Sequence, residues 1–338
     1  MVTLTLCMIV KDEEQFIDGC LENVKDIVDE IVVVDTGSAD STKEMAKKSE
    51  ANVFDFKWKD DFSAARNFSL DKATSNWILV MDADELLDTN GKKEILKLIN
   101  NREHCLKDII GFKLEQRTYS PKNDAATTKT TDEKELARMY DCSNSSNLVR
   151  LFKNHPKIRF RNKVHELVEQ SIRDAKGEII ETSIVLHHFP MLREDRQKEK
   201  IPKYADMIWK QLQLQPENPR YNHQAAIAFM GAGRKDLALK YFIRTVKFDP
   251  DYPGILADIA KLYLEMGNTE KAIRFFNMAI AKDKNDISSL NNLAVVYMHL
   301  KKYSIAKQIL EKAMQKDPKN KPVLENYEAL TKKMEENK

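Results

Sequence analysis

Cysteine is scarce in this chain. Its 338 residues contain four thiols, Cys7, Cys20, Cys105 and Cys142, with neither the paired spacing of a metal site nor the density of a disulfide framework. Reduced thiols in a cytoplasmic setting are therefore expected. An excess of one charge is also lacking: 55 basic side chains stand against 53 acidic ones, so the composition gives no general attraction to nucleic acid or anionic membrane. No apolar run approaches the roughly 20 residues needed to cross a bilayer. The apolar N-terminal segment is short, has no basic flank, and reads as a strand rather than a signal peptide. The 42% of hydrophobic residues is ample core for two domains.

Within that unremarkable composition, residues 77–85 (Trp-Ile-Leu-Val-Met-Asp-Ala-Asp-Glu) carry the sharpest signal: a strand-length apolar run stops on Asp82 and Asp84. Paired carboxylates at a strand end are costly without a cation. Hard oxygen ligands suit Mg²⁺ or Mn²⁺, whose shell substrate phosphates often complete. The same pattern occurs twice upstream. Leu4–Val10 runs into Lys11-Asp12-Glu13-Glu14 and a helix carrying Phe16, Ile17, Cys20, Leu21 and Val24; Ile31–Val34 runs into Asp35, with Ser38 or Asp40 placed to cap a helix through Met45 and Ala46. A third unit runs from Asn52–Phe54 through a helix with Ala64, Ala65, Phe68 and Leu70 into the Trp77 strand. Strands alternating with short helices predict βαβ units in a mostly parallel sheet, where ligands gather at the carboxyl ends of the strands. Asp12 and Glu13, Asp35, and Asp82 with Asp84 then share one edge.

Four of these motifs in order, Met-Ile-Val-Lys-Asp-Glu-Glu (8–14), Val-Val-Asp-Thr-Gly-Ser-Ala-Asp-Ser-Thr (33–42), Phe-Ser-Ala-Ala-Arg-Asn (62–67) and residues 77–85, resemble the family 2 glycosyltransferases. The resemblance implies an α/β nucleotide-sugar-binding domain of GT-A type, an inverting reaction, a UDP-sugar donor and Mn²⁺ or Mg²⁺. It implies that Glu13 and Asp35 contact the uridine, that Asp82 lies near the ribose, and that Asp84 ligates the metal. Arg66 would lie near the base or diphosphate, with Val10 and Ala83 completing the nucleotide-sugar pocket. Thr36 departs from the pattern, since many members carry a second Asp there, which leaves the base less defined than the diphosphate.

Residues 147–188 hold the remaining candidates. Arg150, in Arg-Leu-Phe-Lys, suits either a phosphate or a carboxylate partner; Val-His-Glu (164–166) and His187-His188-Phe189 resemble the back half of a subgroup of these transferases. By that resemblance Glu166 serves as base or acceptor contact, with His165 as its catalytic neighbour, and a late histidine joins the metal or the diphosphate. His188 fits that place better than His187, although Pro190 stands where the subgroup has glycine. An ordinary polar pair at His165–Glu166 and a plain strand end at His187–His188 are the alternatives. The polar stretch 120–146 has no clear apolar period and is either a lid or a solvated insertion.

The C-terminal half repeats every 34 residues: Ala226, Ala260 and Ala294; Phe229, Tyr263 and Tyr297; Ala238, Ala272 and Ala306; Phe242, Phe276 and Leu310. Gly233 and Gly267 sit at the inter-helix turn, with Lys301 in their place in the third unit; Pro250 and Pro318 close the first and third units, and Lys284 stands at that point in the second. The pattern resembles tetratricopeptide repeats over about residues 219–320, with a capping helix to about Lys333. An all-α solenoid of this kind implies an extended peptide in its concave face or a homodimer contact. Asn222, Asn291 and Asn292 are candidates to face that groove. The expected organisation is a transferase domain over 1–190, a linker helix over 191–216 and repeats over 217–338. The resulting expectation is sugar transfer from a UDP-sugar to a peptide or protein, as in bacterial bacteriocin-peptide transferases. Transfer to lipopolysaccharide core or another envelope glycan, and a non-catalytic scaffold that binds nucleotide sugar, are the competing readings.

Overall fold

The computed structural model describes residues 2–121, 140–189, 205–318 and 320–336. The chain forms two compact units, Met1–Met207 and Ile208–Lys338.

The first unit is built on one eight-stranded sheet, ordered β3-β2-β1-β4-β7-β6-β8-β5. Its strands are β1 (Leu4–Val10), β2 (Glu30–Asp35), β3 (Asn52–Asp55), β4 (Trp77–Val80), β5 (Glu85–Leu87), β6 (Ile110–Pro121), β7 (Tyr140–Lys153) and β8 (Glu178–His188). The helices are α1 (Ile17–Val24), α2 (Thr42–Lys48), α3 (Phe62–Lys72), α4 (Thr89–Ile99), α5 (Arg102–Leu106) and α6 (Glu169–Asp174). β1 to β4 are mutually parallel, as expected. Beyond β4 the sheet is mixed: β7 runs antiparallel to β4 and β6, β8 runs parallel to β6, and β5 is antiparallel to β8. The mostly parallel expectation therefore holds for one half of the sheet only.

β1 is apolar at every position but Thr5 because both of its faces are covered. Leu4, Leu6, Met8 and Val10 join a core with Ile17, Leu21 and Ile95 from α1 and α4; Cys7 joins the opposite core with Leu70 of α3 and Ile172 of α6. β6 and β7 form a long hairpin paired out to Pro121 and Tyr140. The ends of the 120–146 stretch are thus strand rather than irregular chain, and 122–139 lie outside the described residues. Among the described residues no helix is long and apolar enough to cross a membrane.

The described elements of the second unit are all helices: α7 (205–214), of which residues from Ile208 belong to this unit, α8 (Pro219–Gly231), α9 (Lys235–Phe248), α10 (Ile255–Glu265), α11 (Thr269–Lys282), α12 (Ile287–His299), α13 (Tyr303–Lys316) and α14 (Lys321–Glu336). Of the expected linker helix, 191–204 lies outside the described residues. Trp209 of α7 packs edge-on against Phe229 and Tyr241 of the first repeat. The periodic Ala226, Ala260, Ala294, Ala238, Ala272 and Ala306 are all fully buried, which lets neighbouring helices approach closely. Each unit turns on the same two bonds. Gly233 N–H reaches Met230 O and Arg234 N–H reaches Phe229 O; Gly267 and Asn268 repeat this on Leu264 and Tyr263, and Lys301 and Lys302 on Met298 and Tyr297. The turn residue is left-handed each time, with φ of +74°, +75° and, for Lys301, +58°.

One groove expectation fails. Asn222 is fully buried: its Nδ2 donates to Pro216 O and Asn218 O, and its Oδ1 accepts from Arg244 Nε at 2.8 Å. A buried amide with every bond satisfied holds the repeat together instead of facing a ligand. Asn291 accepts from Asn326 Nδ2 at 2.9 Å, joining the third unit to α14. Asn292 does line a cleft of about 560 Å³ between α10, α11 and α12, with Lys261, Phe276, Val295 and His299.

Candidate active site

The register of the parallel strands brings their acidic ends together. Val10 pairs with Asp35 across β1 and β2, and Cys7 pairs with Val80 across β1 and β4. The turns after β1, β2 and β4 therefore leave the sheet at neighbouring places.

Asp35 is 1% exposed; its Oδ1 accepts N–H bonds from Gly37 and Ser38, both at 2.9 Å, while Oδ2 is buried with no hydrogen-bond partner. Gly37, at φ +111°, makes that turn possible. Thr36 gives both its N–H and its hydroxyl to Val10 O, so its side chain is committed to the backbone. The β1 and β2 turns are stitched together: Asp12 N–H donates to Ser38 Oγ, Asp12 Oδ1 accepts from Ala39 N–H, and Glu13 N–H donates to Thr42 Oγ1. Neither Ser38 nor Asp40 caps α2: the cap position is Ser41, which makes no side-chain bond, while Asp40, one residue earlier, accepts Thr42 N–H at 3.0 Å and Ser38 holds the neighbouring turn. Val10 and Ala83 point into the core, 3% and 5% exposed.

The Asp82–Asp84 turn rests on a network of ions. Arg66 Nη2 donates to Asp82 Oδ1 and Arg66 Nε to Glu166 Oε1, each at 2.7 Å. Arg150 Nη2 lies 3.6 Å from Asp82 Oδ2 and 3.4 Å from Glu85 Oε1. Glu85 is fully buried; its Oε2 accepts Asp82 N–H at 2.7 Å, and its Oε1 accepts from Gln116 Nε2. Burial favours a neutral Asp82, but the Arg66 and Arg150 charges outweigh it and hold the carboxyl well below the usual range. For Glu85 burial dominates, and the carboxyl is pushed up despite Arg150. Arg66 Nη1 and Arg150 Nε remain buried without acceptors.

Asp84 meets the far end of the sheet. Phe189 N–H donates to Asp84 O at 3.0 Å, and β5 sets Glu85 opposite His188. This brings His188 Nε2 to 3.7 Å from Asp84 Oδ1, too long for a hydrogen bond. Thr118 Oγ1, 3.2 Å from Nδ1, orients the ring. His187 instead stacks on Tyr119, with its Nδ1 2.8 Å from the phenol oxygen. Among the described residues no cluster of three or more His, Cys, Asp or Glu could hold a metal unaided. Asp84 and His188 are the residues that would hold a divalent cation here, one oxygen donor and one imidazole donor, with water and phosphate left to complete the shell.

Glu166 and His165 lie in a small loop closed by reciprocal N–H···O bonds between Arg161 and Leu167. His165, at φ +53°, is exposed, and Glu166 turns toward Arg66. Three contributors were not assigned from the sequence: Glu85, Gln116 and Asn67, whose amide bonds both the N–H and the C=O of Phe160 at the start of the Glu166 loop. Glu85 had a visible signal, since it directly follows the carboxylate pair and precedes Leu86 and Leu87 in an apolar strand.

Fold and site together define an α/β domain with carboxylates gathered at parallel strand ends, joined to an array of helical hairpins. Residues 5–157 match the model of glycosyl transferase family 2, and residues 229–295 and 287–316 match tetratricopeptide repeat models. The chain is 38% identical over 172 residues to a TPR repeat-containing protein of Synechococcus elongatus, covering 51% of this chain and 37% of that one. It is 30% identical over 221 residues to the SPbeta prophage-derived glycosyltransferase SunS of Bacillus subtilis, covering 65% of this chain and 47% of that one. An uncharacterized glycosyltransferase of Rickettsia typhi is 34% identical over 131 residues, 36% of this chain and 44% of that one. The chain thus spans less than half the length of these relatives. Residues 5–157 thus belong to a family 2 glycosyltransferase domain at the N-terminal end, and residues 229–316 to tetratricopeptide repeats.

Proposed function

We propose that this protein is an inverting, metal-dependent glycosyltransferase that moves a sugar from a UDP-sugar to a peptide or protein side chain in the cytoplasm. The observation that carries the reading is the Asp82–Asp84 turn, set over the Arg66–Arg150–Glu85 network and brought against His188. A nucleoside diphosphate needs a counter-charge and a hydrogen-bonding seat: a divalent cation on Asp84 and His188 would supply the first, and the turns after β1 and β2 the second. Asp35, its Oδ2 without a protein partner, stands at the end of β2 where the nucleoside would sit, with Glu13 beside it on the stitched turn. Asp82, ionised by its arginines, is suited to ribose hydroxyls.

Asp84 and His188 would hold the divalent cation, which when bound neutralises charge on the departing diphosphate. Arg150, 3.6 Å from Asp82 Oδ2, adds a fixed positive charge behind the same edge. Glu166 takes the proton from the acceptor atom as that atom attacks the anomeric carbon; the carbon–oxygen bond to the diphosphate breaks, and its electron pair leaves with UDP. Repeat arrays present extended surfaces suited to polypeptide, which supports a peptide or protein acceptor.

The test is release of nucleoside diphosphate from a panel of UDP- and GDP-sugars, with and without Mn²⁺ or Mg²⁺, comparing wild type with Asp84→Ala. Metal-dependent release from one or two UDP-sugars, reduced about 100-fold or more in the variant, is expected. A wild-type chain that binds no UDP would sink the reading.

A further inference from the structure

Helix α3 spends its first two turns on one loop. Asp61 caps it, accepting Ala64 N–H at 2.9 Å, and the Phe62 N–H, which has no acceptor within the helix, goes to Lys163 O at 3.0 Å. Asn67 uses both ends of its amide on a single residue: Nδ2 donates to Phe160 O at 3.0 Å and Oδ1 accepts Phe160 N–H at 2.8 Å. Arg66 lies over the Phe160 ring, 5.6 Å from its centroid, and bonds Glu166 on one side and Asp82 on the other. It is 5% exposed, with two nitrogens engaged and the third covered, so no ligand reaches its guanidinium in this arrangement. The gripped loop has Asn162 at φ +76° and His165 at φ +53°, conformations that persist where the surroundings over-determine them.

We propose that Arg66 and Asn67 are positioning residues for Glu166: α3 is a splint that fixes the acceptor-side carboxylate relative to the Asp82–Asp84 turn. The inference rests on the function proposed above and refines it, because it assigns the Phe62–Asn67 motif to the base-bearing loop. An amide that bonds both the N–H and the C=O of Phe160 acts as a neighbouring strand would. Without it the 160–167 loop loses its register against α3, and misplacing a reacting group by about 1 Å costs on the order of 100-fold in rate.

The experiment uses the full chain with Asn67→Ala, alone and combined with Glu166→Gln. Amide exchange should quicken at 160–167 and stay unchanged at 77–87. The affinity for UDP with Mn²⁺ should hold within about 2-fold, while UDP-sugar turnover falls about 10- to 100-fold. In the Glu166→Gln background Asn67→Ala should lower turnover no further, since its cost runs through that carboxylate. Unchanged exchange at 160–167, a rate loss that persists in the Glu166→Gln background, or UDP affinity falling in step with rate would each overturn the splint. If Asn67→Ala does not fold, Asn67→Asp carries the same comparison, because it keeps an acceptor for Phe160 N–H and loses the donor. A wild type that neither binds UDP nor turns over would instead overturn the proposed function, and this inference with it.

Discussion

Replacing Lys301 with glycine should stabilise the repeat unit. Lys301 occupies the left-handed turn position that glycine holds in the two preceding units, at φ +58° against +74° and +75°. A side chain there costs roughly 1–2 kcal/mol relative to a right-handed residue. Glycine returns part of the gain, about 0.5–1 kcal/mol, through the extra freedom of the unfolded chain. The net is a stabilisation of roughly 0–1.5 kcal/mol, a rise of up to about 5 °C in Tm for a unit of this size. Gly267→Ala is the mirror experiment. An added Cβ meets nothing within 4 Å, so its cost is backbone strain alone, about 1 kcal/mol or a fall of about 3 °C. Both variants would be followed by circular dichroism on heating, with urea titration to check that the m-value is unchanged. A lower Tm for Lys301→Gly, or no effect of Gly267→Ala, would refute the equivalence of the three turns.

Two further outcomes follow from buried groups. Asn222→Ala leaves Arg244 Nε without its partner and removes two bonds to the backbone, so a loss of about 2 kcal/mol is expected in urea unfolding. A ligand-facing asparagine would instead leave stability intact. Burial pushes the Cys7 thiol up to about 12 and the Cys20 thiol well above its ordinary value. At pH 8 the folded chain should therefore alkylate at Cys105, which is partly exposed, while Cys7 and Cys20 react only on unfolding. Mass-mapped labelling reads this directly, and early modification of Cys7 would contradict its burial.

The parallel half of the sheet was legible because β1, β2 and β4 are buried on both faces and so read as unbroken apolar runs ending in charge. The β6–β7 hairpin was not: between Glu115 and Tyr119 its side chains are only half-buried and mostly polar, and what holds it is backbone pairing that leaves no periodic trace. The candidate residues of the site were legible as types at strand ends, but their partnerships were not. Arg66 and Glu166 are separated by 100 residues, and nothing local to either announces that the guanidinium closes on that carboxylate. Asn222 misled because an asparagine on a helix looks alike whether it faces solvent or satisfies a neighbouring turn.

The pairing of β5 with β8 has a consequence for how the chain is made. Asp84 emerges early in synthesis and His188 late, and they meet only when β8 adds between β6 and β5. A nascent chain that has already formed β1 to β4 presents the acidic edge with neither His188 nor the Glu166 loop in place. The candidate site is thus completed by the last strand of the sheet, so a half-made domain cannot assemble it.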